Sequence, residues 1–162
     1  MATSGGMLTV KLIGDEELKR KLRSSTADVP VGRFLDRAAF KLQGNARKKA
    51  PVDEGALKNS IGVESPNNRL RRVGPSVDYG EYVELGTRPH WPPPGSLLGW
   101  GRRHGALTYS KDGTPSDYLI RRAIAKRGTK PNPYMQPAAD ELEGQIPVLV
   151  SVLAAEIESA FQ

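Results

Sequence analysis

The chain has no cysteine in its 162 residues. Disulfides, thiolate metal sites and cysteine nucleophiles are therefore excluded together. Histidine is nearly as scarce, with His90 and His104 the two present. A metal site would need more ligands, and Glu81, Glu84 and Asp112 stand at no helical or ribbon-like spacing from either histidine. Neither a GxxxxGK-Ser/Thr run nor a GxGxxG run occurs, so nucleotide binding by those glycine-rich loops is unsupported. Aromatic residues make up 6% of the chain, and none is interleaved with the basic clusters as a stacking platform would require. Long apolar runs are missing too. The longest, Ile146 to Ala155, contains Pro147 and Ser151 and is too short to span a bilayer. Met1 to Gly6 is small and polar, unlike the charged start and apolar core of a secretory signal. No internal repeat or coiled-coil heptad is visible.

Catalytic constellations are equally thin. A serine hydrolase needs a serine, a histidine and an acid brought together. Ser96 and Ser110 lie in the same irregular stretch as His104, but no strand–turn–helix elbow flanks either serine. The Glu81/Glu84 pair has the chemistry for acid–base work. Such a pair is more often a solvated face or half of an interface ion pair. The expectation is a protein that is not an enzyme and holds no metal or cofactor.

What is present is charge, glycine and proline. Net charge is +6, carried as short clusters: Arg69, Arg71 and Arg72; Arg102 and Arg103; Arg121 and Arg122; Lys126 and Arg127. A basic balance favours contact with a polyanion or with an acidic protein face. The 17 glycines and 13 prolines make nearly a fifth of the chain, and the prolines concentrate in its second half. A chain of this length can bury one sizeable core. It reads as a single domain over residues 1–162 that carries an irregular arm at about 86–114.

The periodicities predict the elements. Leu8 to Ile13 alternates as a short strand. Asp15 can cap a helix with Leu18 and Leu22 on its apolar face. Val31, Phe34, Leu35, Ala38, Ala39, Leu42 and Ala46 recur at three- and four-residue spacing and predict a helix over 30–50. Strands are predicted over 57–64 and 69–77, joined by the turn residues Pro66-Asn67-Asn68. Residues 79–85 are ambiguous between strand and helical turn. Arg88-Pro-His-Trp-Pro-Pro-Pro-Gly95 can sustain neither helix nor central strand, and the triple proline would hold it extended. Ser96 can cap a short helix through Arg103. Thr114-Pro115 predicts a helix by the proline-at-first-position rule, ending near Gly128. After an extended 129–134, a last helix runs from about Met135 to Phe161, kinked at Pro147. Its buried stripe comprises Ala138, Ala139, Leu142, Ile146, Leu149, Val150, Leu153, Ile157 and Phe161.

Three blocks carry more than periodicity. ARKKAPVDEGALKNSI, residues 46–61, is a basic helix end followed by a turn. Pro51 disfavours helix at Ala50, and Asp53-Glu54-Gly55 reverses the chain, a role that geometry alone explains. YGEYVELGTR is residues 79–88, and PNPYMQPA is residues 131–138. Together, in this order, they resemble the head–tail joining or tail-completion family of long-tailed bacteriophages, also called minor tail or neck proteins. The family pattern has threonine where Glu54 stands, alanine at Gly80, and phenylalanine at Leu85 and Tyr134. A long insertion over 89–129 separates the second and third blocks.

The resemblance implies a structural virion protein that forms a ring, with six subunits expected, at the junction of tail and head. Its expected partners are copies of itself, the tail tube or tail terminator protein, and the head connector or head-closure protein. Nonspecific contact with passing DNA is a further expectation, and a membrane is not expected. The expected location is the virion tail or neck, after synthesis in the host cytoplasm. Read from the residues, the fold class is α+β: a small, mostly antiparallel sheet packed against the central helix and a long C-terminal helix, with a proline-rich insertion. Trp and Arg are frequent anchors of protein interfaces. The candidate interface residues are Tyr82, Glu84, Arg88, Trp91 and Trp100, with Arg102 and Arg103 at a polar rim. The alternative reading is a monomeric, basic nucleic-acid-binding protein.

Overall fold

Helix α1, Ser25–Lys49, organises the structure, and its sequence says why. All seven residues of its predicted stripe are buried, with Leu35, Ala38, Ala39 and Ala46 at 0% exposure. Truncating a leucine so placed costs roughly 2–5 kcal/mol. The computed structural model describes residues 8–10 and 25–160, with side chains from 28 to 159. The helix predicted from Asp15, with Leu18 and Leu22, lies outside the described residues, as do Ile13 and Phe161.

Packing divides the chain into two units, Met1–Gly80 with Pro133–Gln162, and Glu81–Asn132. In the first, α1 packs against a three-stranded antiparallel sheet of β1 (Leu8–Val10), β2 (Ile61–Asn67) and β3 (Leu70–Pro75), in the order β1-β3-β2. It also packs against α6 (Met135–Glu143) and α7 (Ile146–Ala160). The fold is therefore α+β. The β2–β3 register sets Val63 opposite Val73, with an irregularity between Glu64 and Asn67. Pro66 falls at that irregularity, on an edge strand, where its missing N–H is tolerated. The Asn67 side chain accepts the Arg69 N–H at 2.9 Å and closes the hairpin turn.

The first block packs as one piece. After the turn, where Gly55 takes φ 81°, residues Ala56–Ser60 form a short helix, α2. The strand predicted from 57 thus begins at 61. Leu57 on α2 and Ile61, the extended residue that opens β2, are both buried, at 5% and 0% exposure. The Ile61 carbonyl accepts from Gln43 Nε2 and from Arg47 Nε and Nη2 at 2.7–3.1 Å, which ties the block to α1.

The predicted last helix is two. Pro147 lacks an N–H, and its ring would strike the carbonyl four residues back, at Glu143. Helix α6 accordingly ends at Glu143, and Pro147 sits in the first turn of α7, where no N–H is needed. Leu142, Leu149 and Leu153 are buried as expected, whereas Val150 is exposed.

The unit Glu81–Asn132 holds most of α3 (Gly80–Leu85), α4 (Leu98–Arg103), the two-residue strands β4 (Thr108–Tyr109) and β5 (Pro115–Ser116), and α5 (Tyr118–Arg127). Ser96 does not cap α4. Its hydroxyl donates instead to the Pro93 carbonyl at 2.8 Å. Pro115 does not open α5. It pairs with Tyr109, and the helix starts only after Asp117.

Candidate functional site

All seven candidate interface residues fall within Glu81–Asn132. The base of this unit is a clasp. Thr87 and Thr129 exchange both backbone hydrogen bonds at 3.2 Å, and their hydroxyls lie 3.1 Å apart. Gly86 (φ 73°) and Gly128 (φ 69°) make the approach possible. A Cβ on Gly86 would lie 2.5 Å from the Thr129 carbonyl oxygen, and one on Gly128 would collide with the Thr87 carbonyl. One step further out, Asn132 N–H donates to the Val83 carbonyl at 2.9 Å.

Above the clasp, the side chains form three groups. Tyr82 and Arg88 line a groove of about 540 Å³ together with Leu85 and His90. Trp100, Arg102 and Arg103 share α4, where the Trp100 ring lies against His104 with centroids 4.5 Å apart. Trp91 belongs with α5: its ring stacks on Tyr118 at 6.2 Å, and the Arg121 guanidinium sits 5.7 Å from its centroid, within cation–π range. Glu84 is half-buried on α3.

A buried carboxylate supports the third group. Asp117 is 4% exposed. Its Oδ2 accepts the Leu97 N–H at 3.2 Å, and its Oδ1 lies 3.8 Å from Arg121 Nη1. Arg121 Nε also donates to the Pro92 carbonyl at 2.8 Å. One carboxylate thus orients the arginine that holds Trp91. Sequence reasoning gave no interface role to Asp117, Tyr118 or Leu85, and it saw Arg121 only as part of a charge cluster. The acid immediately before a helical pattern was the available signal for Asp117.

Exposure and charge separate this unit from the rest of the chain. Within Glu81–Asn132 only Pro92, Gly101 and Asp117 are buried, and no large hydrophobic side chain is among them. Yet Tyr82, Leu85, Trp91, Trp100, Tyr109, Tyr118 and Leu119 are each 41–66% exposed. The unit carries nine Lys and Arg against four Asp and Glu, so +5 of the chain's +6 resides here.

The family model described as "Bacteriophage HK97-gp10, putative tail-component" matches residues 16–86. Over that segment the chain resembles a phage tail component. The tail-component match covers the first block and most of the second, and it ends at the clasp glycine Gly86. Tyr82 and Glu84 lie inside it, whereas Arg88, Trp91, Trp100, Arg102 and Arg103 lie beyond. No curated protein and no solved structure matches the chain. Among the described residues, no helix is long and apolar enough to cross a membrane.

Proposed function

We propose that this protein forms a ring, of six subunits, at the head–tail junction of a phage, completing the tail and joining it to the head connector. The observation that carries the reading is the unit Glu81–Asn132, which exposes seven large apolar side chains and buries none of its own. A unit of this size gains little from its own core, and exposed aromatic residues beside arginines have the composition of interface anchors. Tyr82, Glu84, Arg88, Trp91 and Trp100 are the proposed contacts, with Arg102 and Arg103 at the rim. The neighbours are further copies, the tail tube or terminator protein, and the head-closure protein.

Native mass spectrometry of the purified chain, with and without tail-tube protein, tests this. A single defined oligomer is expected, at least when the tail protein is present. A monomer under both conditions, and absence of the chain from finished particles, overturns the reading. The concentration of +5 in one unit favours a second reading, a monomer that binds DNA through phosphate contacts. That reading requires tight binding to duplex DNA with a steep salt dependence and no oligomer.

A further inference from the structure

Helix α5 is ten residues long and buries none of them. Leu119, Arg122 and Lys126 recur at three- and four-residue spacing and are all exposed, so they form one outward stripe that is both apolar and basic. Arg122 and Lys126 have no carboxylate partner among the described residues. A phosphate backbone would satisfy the cations but gains nothing from Leu119 or from the exposed Tyr118 beside it. The stripe suits a protein surface that is apolar and acidic.

The chain carries such a surface. From Pro133 onward it holds five Asp and Glu and no Lys, Arg or His. Glu141 and Glu156 are paired with Lys49 and Arg37 of α1. Gln136, Asp140 and Glu143 form an exposed stripe along α6, at the same helical spacing as the stripe on α5. Glu143 has no cationic partner among the described residues, and Asp140 accepts only from the neutral amide of Gln136 at 2.8 Å. Just beyond, α7 exposes Val148 and, one turn on, Val152, at 66% and 39%. Neither α6 nor α7 carries a cation of its own, so this acidic stripe is as incomplete as α5, with the opposite charge.

We propose that α5 of one copy docks on the acidic α6–α7 face of a second copy of this chain, a head-to-tail contact. It rests on the ring reading and adds to it the two surfaces that meet. A head-to-tail contact uses different patches on each subunit, so its repetition closes a ring when the rotation allows.

Charge reversal on either side tests the contact. One variant is Arg122→Glu/Lys126→Glu, and the other is Asp140→Lys/Glu143→Lys. All four positions are exposed, and circular dichroism checks that each variant folds. The neutral pair Arg122→Gln/Lys126→Gln serves if a reversal does not fold. Each reversed variant alone is expected to associate about 100-fold more weakly than the natural chain, because like charges then face each other. Mixed in equal amounts, the two are expected to recover the natural oligomer in native mass spectrometry, with both masses alternating. If both reversed variants assemble as the natural chain does, the contact is overturned while the ring stands. If reversal of α5 blocks assembly and mixing does not rescue it, α5 binds something other than the second copy's acidic face, and the contact is again overturned. If only a cis combination of all four changes restores the natural behaviour, the two surfaces meet within one chain, which also overturns it. A natural chain that is monomeric even beside tail-tube protein removes the ring reading itself.

Discussion

At the scale of single residues, Gly80 and Tyr134 face each other. Tyr134 is 1% exposed, and its hydroxyl donates to the Gly80 carbonyl at 3.3 Å. A Cβ at position 80 would lie 3.1 Å from that hydroxyl and would collide with the Pro75 ring. The Tyr134 oxygen and the missing methyl of Gly80 thus share one small space. Gly80→Ala alone is expected to destabilise the protein by about 1–3 kcal/mol through overpacking. Tyr134→Phe alone should cost about 0.5–1.5 kcal/mol for the lost hydrogen bond. The double variant should cost less than the sum by at least ~0.5 kcal/mol, the signature of residues in contact. Urea unfolding of the four proteins reads this cycle, and strict additivity would show that the two changes are unrelated. Arg71 makes a different point at the same scale. It is buried at 7% exposure, donates to Asp36 Oδ1 at 2.6 Å and gives further bonds to the carbonyls of Asn67 and Leu70. A member of an arginine cluster that reads as surface charge is a fixed structural strut.

At the scale of elements, legibility followed how local the deciding physics was. Helix α1 could be read from residue 30 onward because one stripe of apolar residues decides both its existence and its buried face, whereas the turn before Pro30, from Ser25, carries no such stripe and was missed. The short helix α2 could not, since Leu57 and Ile61 fit one continuous strand equally well, whereas the fold puts Leu57 on a helical turn and starts the strand at Ile61. Pro147 was correctly a defect, but whether it bends a helix or separates two depends on how α6 and α7 lie against α1. The start of α5 was missed because Asp117 is held by Leu97 and Arg121, partners that only the folded arm supplies. The candidate site was partly legible for the same reason. Trp and Arg in a proline-rich stretch mark candidate contacts by composition, whereas the Asp117–Arg121–Trp91 arrangement is tertiary. Its supporting helix is the testable element. With no buried residue, α5 should open locally at a far lower free energy than α1. Hydrogen exchange on the unassembled chain is expected to show α5 amides at least about 100-fold less protected than those of Leu35 to Leu42. On assembly, α5 protection should rise while α1 changes little. Equal protection of the two helices before assembly would mean that the arm's stability has a source other than burial.

At the scale of the whole molecule, the question is whether the two units depend on each other to fold. The chain enters and leaves the arm at neighbouring backbone positions, because Thr87 pairs with Thr129 and Val83 with Asn132. Segments whose ends lie close together can be removed or inserted with little strain. Closing a shorter loop also costs less entropy than closing the natural one. The buried hydrophobic residues all lie outside Glu81–Asn132, so removing the arm takes none of the core with it. Replacing residues 89–127 by a short Gly-Ser turn is therefore expected to leave a folded protein whose midpoint of thermal unfolding shifts by no more than about 4 °C, which corresponds to roughly 1 kcal/mol for a domain of this size. The same protein should fail to form the oligomer, since Trp91, Trp100 and the α5 stripe are gone. Calorimetry and native mass spectrometry on one preparation separate the two effects. A shortened chain that unfolds at low temperature would make the arm part of the core. One that is stable and still assembles would move the interface to the helices of the first unit, and with it the anchor residues assigned to the arm.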